Sequence, residues 1–151
     1  MASTISIPEL PALRLVLLRL GERVFGIDLS VVREIIPFRR ATRLPGAPAY
    51  VAGLINVRGS IITVVDLGMR LGLDSTAAPD ASVVLVDHGS TVVGLAADEV
   101  LDVQRQGEGE GDIEAVMSEG EVPGVLRALG RQGENAVLVI DADAILRQIL
   151  L

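Results

Sequence analysis

Between Gly53 and Leu67 an apolar run stops for Asn56, Val57, Arg58 and Gly59 and then resumes as Ser60 to Val65. Apolar, largely β-branched residues on both sides of a polar break predict two strands joined by a tight turn, and that hairpin sets the frame for the rest of the chain. Asn tolerates left-handed backbone and Gly adopts it freely, so Asn56 and Gly59 are expected to close the turn and leave Arg58 projecting from its rim. Arg58 is then either an ordinary solvated turn residue or a ready contact point for a partner.

Short strands with Gly-containing turns recur around this hairpin. Leu13 to Leu20, Gly21-Glu22 and Arg23 to Asp28 read as a second hairpin. Asp28 or Ser30 is placed to cap a short helix whose Leu29, Val32, Ile35 and Ile36 share a face and which Pro37 ends. Arg39, Arg40 and Arg43 then cluster ahead of Leu44-Pro45-Gly46-Ala47-Pro48, as a solvated edge strand or as a partner contact.

The same plan returns in the second half. Placing Gly21 on Gly89 lays Leu15–Leu20 on Val83–His88 and Val24–Ile27 on Val92–Leu95, and it carries Val32 and Ile35 onto Val100 and Val103. A second register matches Val64-Val65-Asp66-Leu67 to Val139-Ile140-Asp141-Ala142, followed by helical stretches at Gly68–Leu73 and Asp143–Leu150. After a lead over residues 1–12, two pseudo-repeated halves, about 13–73 and 82–151, predict a mainly β fold of two small barrels or curled sheets. Leu73 to Ser82 reads as the linker between them, and Gln104 to Gly124, rich in Gly, Glu and Asp, as a solvated loop, an acidic docking surface or a brace for the Arg39 to Arg43 cluster.

Composition removes most chemistry. All 13 basic residues are Arg, Cys is absent and His88 is the single His, so Schiff-base, phosphate-loop Lys, thiol and zinc-cluster chemistry have no residues to use. A net charge of -7 opposes nucleic-acid binding, and 2% aromatic residues leave little for bases to stack on. No run approaches a membrane span and Met1–Leu10 lacks the pattern of a signal segment, so no membrane insertion is expected and the cytoplasm is the expected compartment. An enzyme using His88 beside Asp87, or Asp66, lacks a neighbouring nucleophile; Asp66 and Asp141, each after a strand and before a helix, read better as N-caps. No metal or cofactor is expected.

Several ordered pieces resemble one family. They are Leu20-Gly21-Glu22-Arg23-Val24-Phe25-Gly26-Ile27-Asp28, Val32-Arg33-Glu34-Ile35, Thr42 to Pro48, Val51 to Gly59, Val64 to Leu67 and Arg70 to Leu73, with looser matches at Val92–Leu95, Asp98–Val100 and Val137–Ile140. Together they resemble the CheW family of chemotaxis coupling proteins. The resemblance implies two five-stranded SH3-like β-barrels packed around a shared core. It also implies a non-catalytic adaptor between the cytoplasmic tip of a chemoreceptor and the regulatory domain of a histidine kinase, in flagellar chemotaxis or in a pilus-motility or other chemosensory pathway. It raises Val32, Glu34, Gly53, Asn56, Arg58 and Gly59 as candidate partner-binding residues. The chain departs from the family pattern at Gln104–Gly124 and Arg127–Glu134.

Overall fold

The computed structural model describes residues 14–105, 126–132 and 135–149. Among these residues ten strands and two α-helices follow one another as β1 (Arg14–Leu20), β2 (Arg23–Asp28), β3 (Val32–Pro37), β4 (Val51–Val57), β5 (Ser60–Asp66), α1 (Leu67–Arg70), β6 (Ser82–His88), β7 (Thr91–Ala97), β8 (Glu99–Arg105), β9 (Leu126–Gln132), β10 (Asn135–Ile140) and α2 (Ala142–Ile149). The expected hairpins, the short helices after β5 and β10, and the mainly β class are all present.

Two five-stranded sheets form, in the orders β8-β1-β2-β10-β9 and β3-β6-β7-β5-β4. Both follow one plan. A central hairpin, β1-β2 or β6-β7, has a second hairpin lying parallel to its latter strand, β10 on β2 and β5 on β7, and a single strand beside its first. Each sheet takes its central hairpin from one half of the sequence and its other three strands from the other half, so strands exchange between the halves. Among the described residues the two compact units divide in nearly the same way, residues 14–18, 23–30 and those from 101 onward forming one and residues 19–22 with 31–100 the other, so that only the adjoining ends of β1 and β8 fall with the second sheet.

The expected helix over 28–36 is not formed. A 3-10 turn covers Leu29–Val31, and Val32–Pro37 is a strand antiparallel to β6, with Ile36 opposite Val83 and Pro37 opposite Ser82. Asp28 does cap, its Oδ1 accepting from the Ser30 N–H at 2.9 Å. One or two turns of helix offer few bonds against a costly nucleus, whereas the β-branched residues at 32, 35 and 36 suit the ladder that β6 supplies. Pro37 sits at the end of an outer strand, where a missing N–H is tolerated.

In the second sheet alternate residues pack into one core: Ile55 and Val57 of β4, Ile62 and Val64 of β5, and Val83 and Leu85 of β6, with Ile36 and Ala96. The segment after β3 then ties the sheet's two ends together. Thr42 and Leu54 exchange both backbone hydrogen bonds, each 2.8 Å, an antiparallel bridge between the continuation of β3 and the outer strand β4. Gly53 makes this approach possible. Its φ is +142°, and a Cβ there would lie 2.4 Å from the Thr42 carbonyl oxygen. A five-stranded sheet joined at its ends is the closed form the SH3-like expectation requires.

The stretch between α1 and β6, expected as a linker, is anchored on Asp66. This buried residue caps α1, its Oδ1 accepting from the Met69 N–H at 3.1 Å, and it also accepts from the Thr76 N–H at 2.8 Å and the Ser75 hydroxyl at 2.5 Å. The Thr76 hydroxyl, itself buried, donates to the Ala96 carbonyl at 2.7 Å and accepts from the Gly68 N–H at 2.9 Å. Burial alone would raise the Asp66 pKa, but the donors from Ser75, Thr76 and Met69 outweigh it and hold the carboxyl below its ordinary 3.8. Asp141 caps α2 in the matching place, accepting from the Ala144 N–H at 3.1 Å.

Because the folded-state pKa of Asp66 is depressed, its contribution is complete above pH 3.8 and is lost as pH falls from there through the lower folded value. Asp66→Ala should cost about 2–4 kcal/mol at neutral pH, from the lost cap and the buried Thr76 N–H left without an acceptor. Chemical denaturation at pH 7 and at pH 3 should show the variant losing less stability on acidification than the parent.

Candidate functional site

The β4-β5 turn is two residues long, Arg58 and Gly59, with φ +51° and +88°. Positive φ at both central positions is the backbone of a type I′ hairpin turn, whose twist matches the flanking strands. This corrects the sequence reading: Asn56 and Val57 belong to β4, and the left-handed residue is Arg58 itself. Asn56 braces the turn through its side chain, Oδ1 accepting from the Gly59 N–H at 2.9 Å. Asn or Gly would suit the first turn position better than Arg does.

Glu34 comes from β3, on the far side of the sheet order. A bulge between Val32 and Glu34 puts Val32 opposite Val86 and Glu34 opposite Leu85, so Arg33 is the extra residue. Glu34 and Arg58 form a two-pronged ion pair, Nη1 donating to Oε2 at 3.0 Å and Nη2 to Oε1. Both are accessible, with 69% of the Arg58 side chain and 33% of that of Glu34 exposed. The Arg58 hydrogen bond is the chief cause that holds the Glu34 pKa below its ordinary 4.5; desolvation opposes it, and the nearby charges of Arg58, Arg39 and Arg33 add to it.

An open groove of about 600 Å³ runs beside the pair, lined by Arg33, Glu34, Arg58, Ile61, Leu85 and Val92 among others. Ile61 is 64% exposed, the most exposed large apolar side chain among the described residues. Sequence reasoning passed over it, although the signal was there: with Ile62 and Val64 facing the core, Ile61 falls on the outer face of β5. The groove thus sets the charge pair beside both apolar side chains, Ile61 and Val92 among them, and the hydroxyls of Ser60, Ser90 and Thr91. Asp87 lies 3.5 Å from Arg33 across the β3-β6 ladder. Among the described residues no group of three or more His, Asp or Glu is placed to hold a metal ion.

The remaining candidates have distinct places. Val32 is half-buried on β3 beside the bulge, and Gly59 completes the turn. Gly53 is buried at the Thr42 bridge and presents no side chain. Arg39, read only as part of a cluster, donates to the Asn56 carbonyl at 2.9 Å and braces the same hairpin from outside. Residues 106–125, which include most of the acidic stretch, lie outside the described residues.

Residues 14–150 match the family model of the CheW-like domain. The chain belongs to the CheW-like domain family. Among its relatives is the chemotaxis protein CheW of Rhizobium meliloti, 40% identical over 90 residues, which span 59% of this chain and 58% of that protein. The chemotaxis protein CheW of Bacillus subtilis is 27% identical over 136 residues, 88% of this chain and 86% of that protein. Protein PilI of Pseudomonas aeruginosa is 36% identical over 87 residues, 57% of this chain and 49% of that protein. The crystal structure of the scaffolding protein TtCheW from Thermoanaerobacter tengcongensis superposes with a TM-score of 0.77 at 24% identity, over 89% of this chain and 87% of that one. The CheW fold is thereby shared. Among the described residues no helix is long and apolar enough to cross a membrane.

For a CheW-like turn with Arg in left-handed backbone, Arg58→Gly should melt at the same temperature as the parent or higher, because relief of the backbone offsets loss of an exposed ion pair. Arg58→Ala keeps the unfavourable φ and should melt below Arg58→Gly. Thermal unfolding followed by circular dichroism compares the three proteins.

Proposed function

We propose that this chain is a non-catalytic adaptor that couples the cytoplasmic tip of a chemoreceptor to the regulatory domain of a chemotaxis histidine kinase, working in the cytoplasm. The reading is supported by membership of the CheW-like family, whose named relatives include chemotaxis proteins and a scaffolding protein. The observation that carries it is the Glu34–Arg58 pair, held on a braced turn beside an open groove whose lining includes the exposed Ile61. Fixed charges flanking exposed apolar surface favour protein contacts over chemistry on a small molecule.

In this reading Arg58 and Glu34 present the charged part of the contact, and Val32 borders it on β3. Asn56 and Gly59 shape the turn, and Gly53 keeps the β4 edge tied to Thr42. The likeness to PilI favours a second version of the same role, an adaptor in a pilus-motility or other non-flagellar chemosensory pathway. The two versions differ in the receptor and kinase bound and not in the surface used.

Binding is tested with a chemoreceptor cytoplasmic fragment and a kinase regulatory domain from the same source, each titrated separately by calorimetry. Arg58→Ala should weaken at least one of them by about ten- to a hundredfold while the protein stays folded. Arg58→Lys should recover only part of that loss, since an ammonium cannot copy the planar fork. Ile62→Ala, in the core, should lose about 2–4 kcal/mol of stability and bind less only in proportion to unfolding. A folded parent protein that binds neither fragment would overturn the adaptor reading.

A further inference from the structure

Positive charge is segregated along this chain in a way the Glu34–Arg58 pair does not use up. From Ile35 to Val65 the sequence holds Arg39, Arg40, Arg43 and Arg58 and no Asp or Glu, although the whole chain carries a net charge of -7. Two of these four, and two further arginines of this unit, have a local use. Arg19 lies 3.8 Å from Asp98 and 3.3 Å from Glu99, Arg33 faces Asp87, Arg58 holds Glu34, and Arg39 donates to the Asn56 carbonyl. Arg40 and Arg43 are exposed and have no carboxylate partner among the described residues.

The backbone that carries these two guanidiniums is fixed. The Phe38 N–H donates to the Ala81 carbonyl at 2.9 Å, and Thr42, between the two arginines, is held by both of its bonds to Leu54. Leu44 follows with 46% of its surface exposed, ahead of Pro45. Two guanidinium forks with no carboxylate partner among the described residues are therefore carried on backbone tied down at Phe38 and Thr42, with Leu44 next in sequence, so the backbone part of the ordering cost is already met before binding. The fork geometry matches carboxylates.

We propose that Arg40 and Arg43, with Leu44, form a docking ridge for a segment of a partner protein rich in Asp and Glu. A nucleic acid fits less well, because its extended polyanion would meet the acidic remainder of the chain and few aromatic side chains. An acidic peptide segment is short enough to engage the ridge alone, and Leu44 gives it an apolar contact. The ridge uses none of the groove residues, so its test is independent of receptor or kinase binding.

The test is fluorescence anisotropy of a labelled peptide of alternating Glu and Gly, titrated with the full chain at low and high salt. The parent should bind it, with affinity falling about tenfold or more from ~50 mM to ~300 mM salt. The double variant Arg40→Glu/Arg43→Glu should lose binding about tenfold or more, and Arg40→Gln/Arg43→Gln should lose a smaller part. Arg14→Glu/Arg23→Glu changes net charge equally at exposed positions elsewhere and should bind within about twofold of the parent. Thermal melts verify that all are folded. Equal loss in the two Glu double variants, no binding by the parent, or binding of oligo-dT or of vesicles rich in phosphatidylglycerol as tight as that of the peptide would overturn the proposal.

Discussion

Two hydrogen bonds of 2.8 Å between Thr42 and Leu54 join the continuation of β3 to β4, and these are the two ends of a five-stranded sheet. Without them the sheet would present two open edges, each a row of backbone groups seeking partners. The absence of a side chain at Gly53 is the condition for that contact, since a Cβ would fall 2.4 Å from the Thr42 oxygen. The site inherits its geometry from this closure. Glu34 belongs to one end strand and Arg58 to the turn that the other end strand feeds, so their ion pair can form only while the two ends are held together.

Legibility followed the range of the interaction. The hairpins, the N-caps at Asp66 and Asp141 and the duplication rest on residues close in sequence, and all could be read from it. Which hairpin a later strand joins depends on surfaces that exist only after collapse, and for that reason the exchange of strands was not legible. The 28–36 stretch shows the limit within one element. Leu29, Val32, Ile35 and Ile36 do fall at helical spacing, yet Val32–Pro37 is a strand because β6 offers it a ladder. The repeat held the correcting signal, since the register that carried Val32 and Ile35 onto Val100 and Val103 places them on β8, also a strand.

The candidate site was legible as a turn but not as a pair. Arg58 and Glu34 are brought together by the bulge at Arg33 and by the barrel's closure, neither of which has a local sequence mark. The sequence reading gave left-handed backbone to Asn56, the residue best suited to it, whereas the structure spends Asn56 on bracing the Gly59 N–H and places Arg58 at φ +51°. The duplicated plan has diverged in the same manner. Asp141 caps a helix, while Asp66 in the matching position also anchors Ser75 and Thr76 and, through Thr76, reaches β7.

A turn built for folding alone would carry Asn or Gly where Arg58 stands, because those residues enter left-handed backbone at lower cost. The ion pair with Glu34 does not explain the choice, since both side chains are accessible and an exposed pair contributes little to stability. What remains is presentation. A left-handed residue at the tip of a type I′ hairpin, braced by Asn56 below and Arg39 alongside, aims its side chain with little freedom of the backbone beneath it. Strain of this kind persists where the surrounding structure over-determines it and a specific side chain is needed there. The conflict between what the turn prefers and what it contains is therefore the support that the fold itself lends to the proposal that Arg58, and with it Glu34, makes a contact outside this chain.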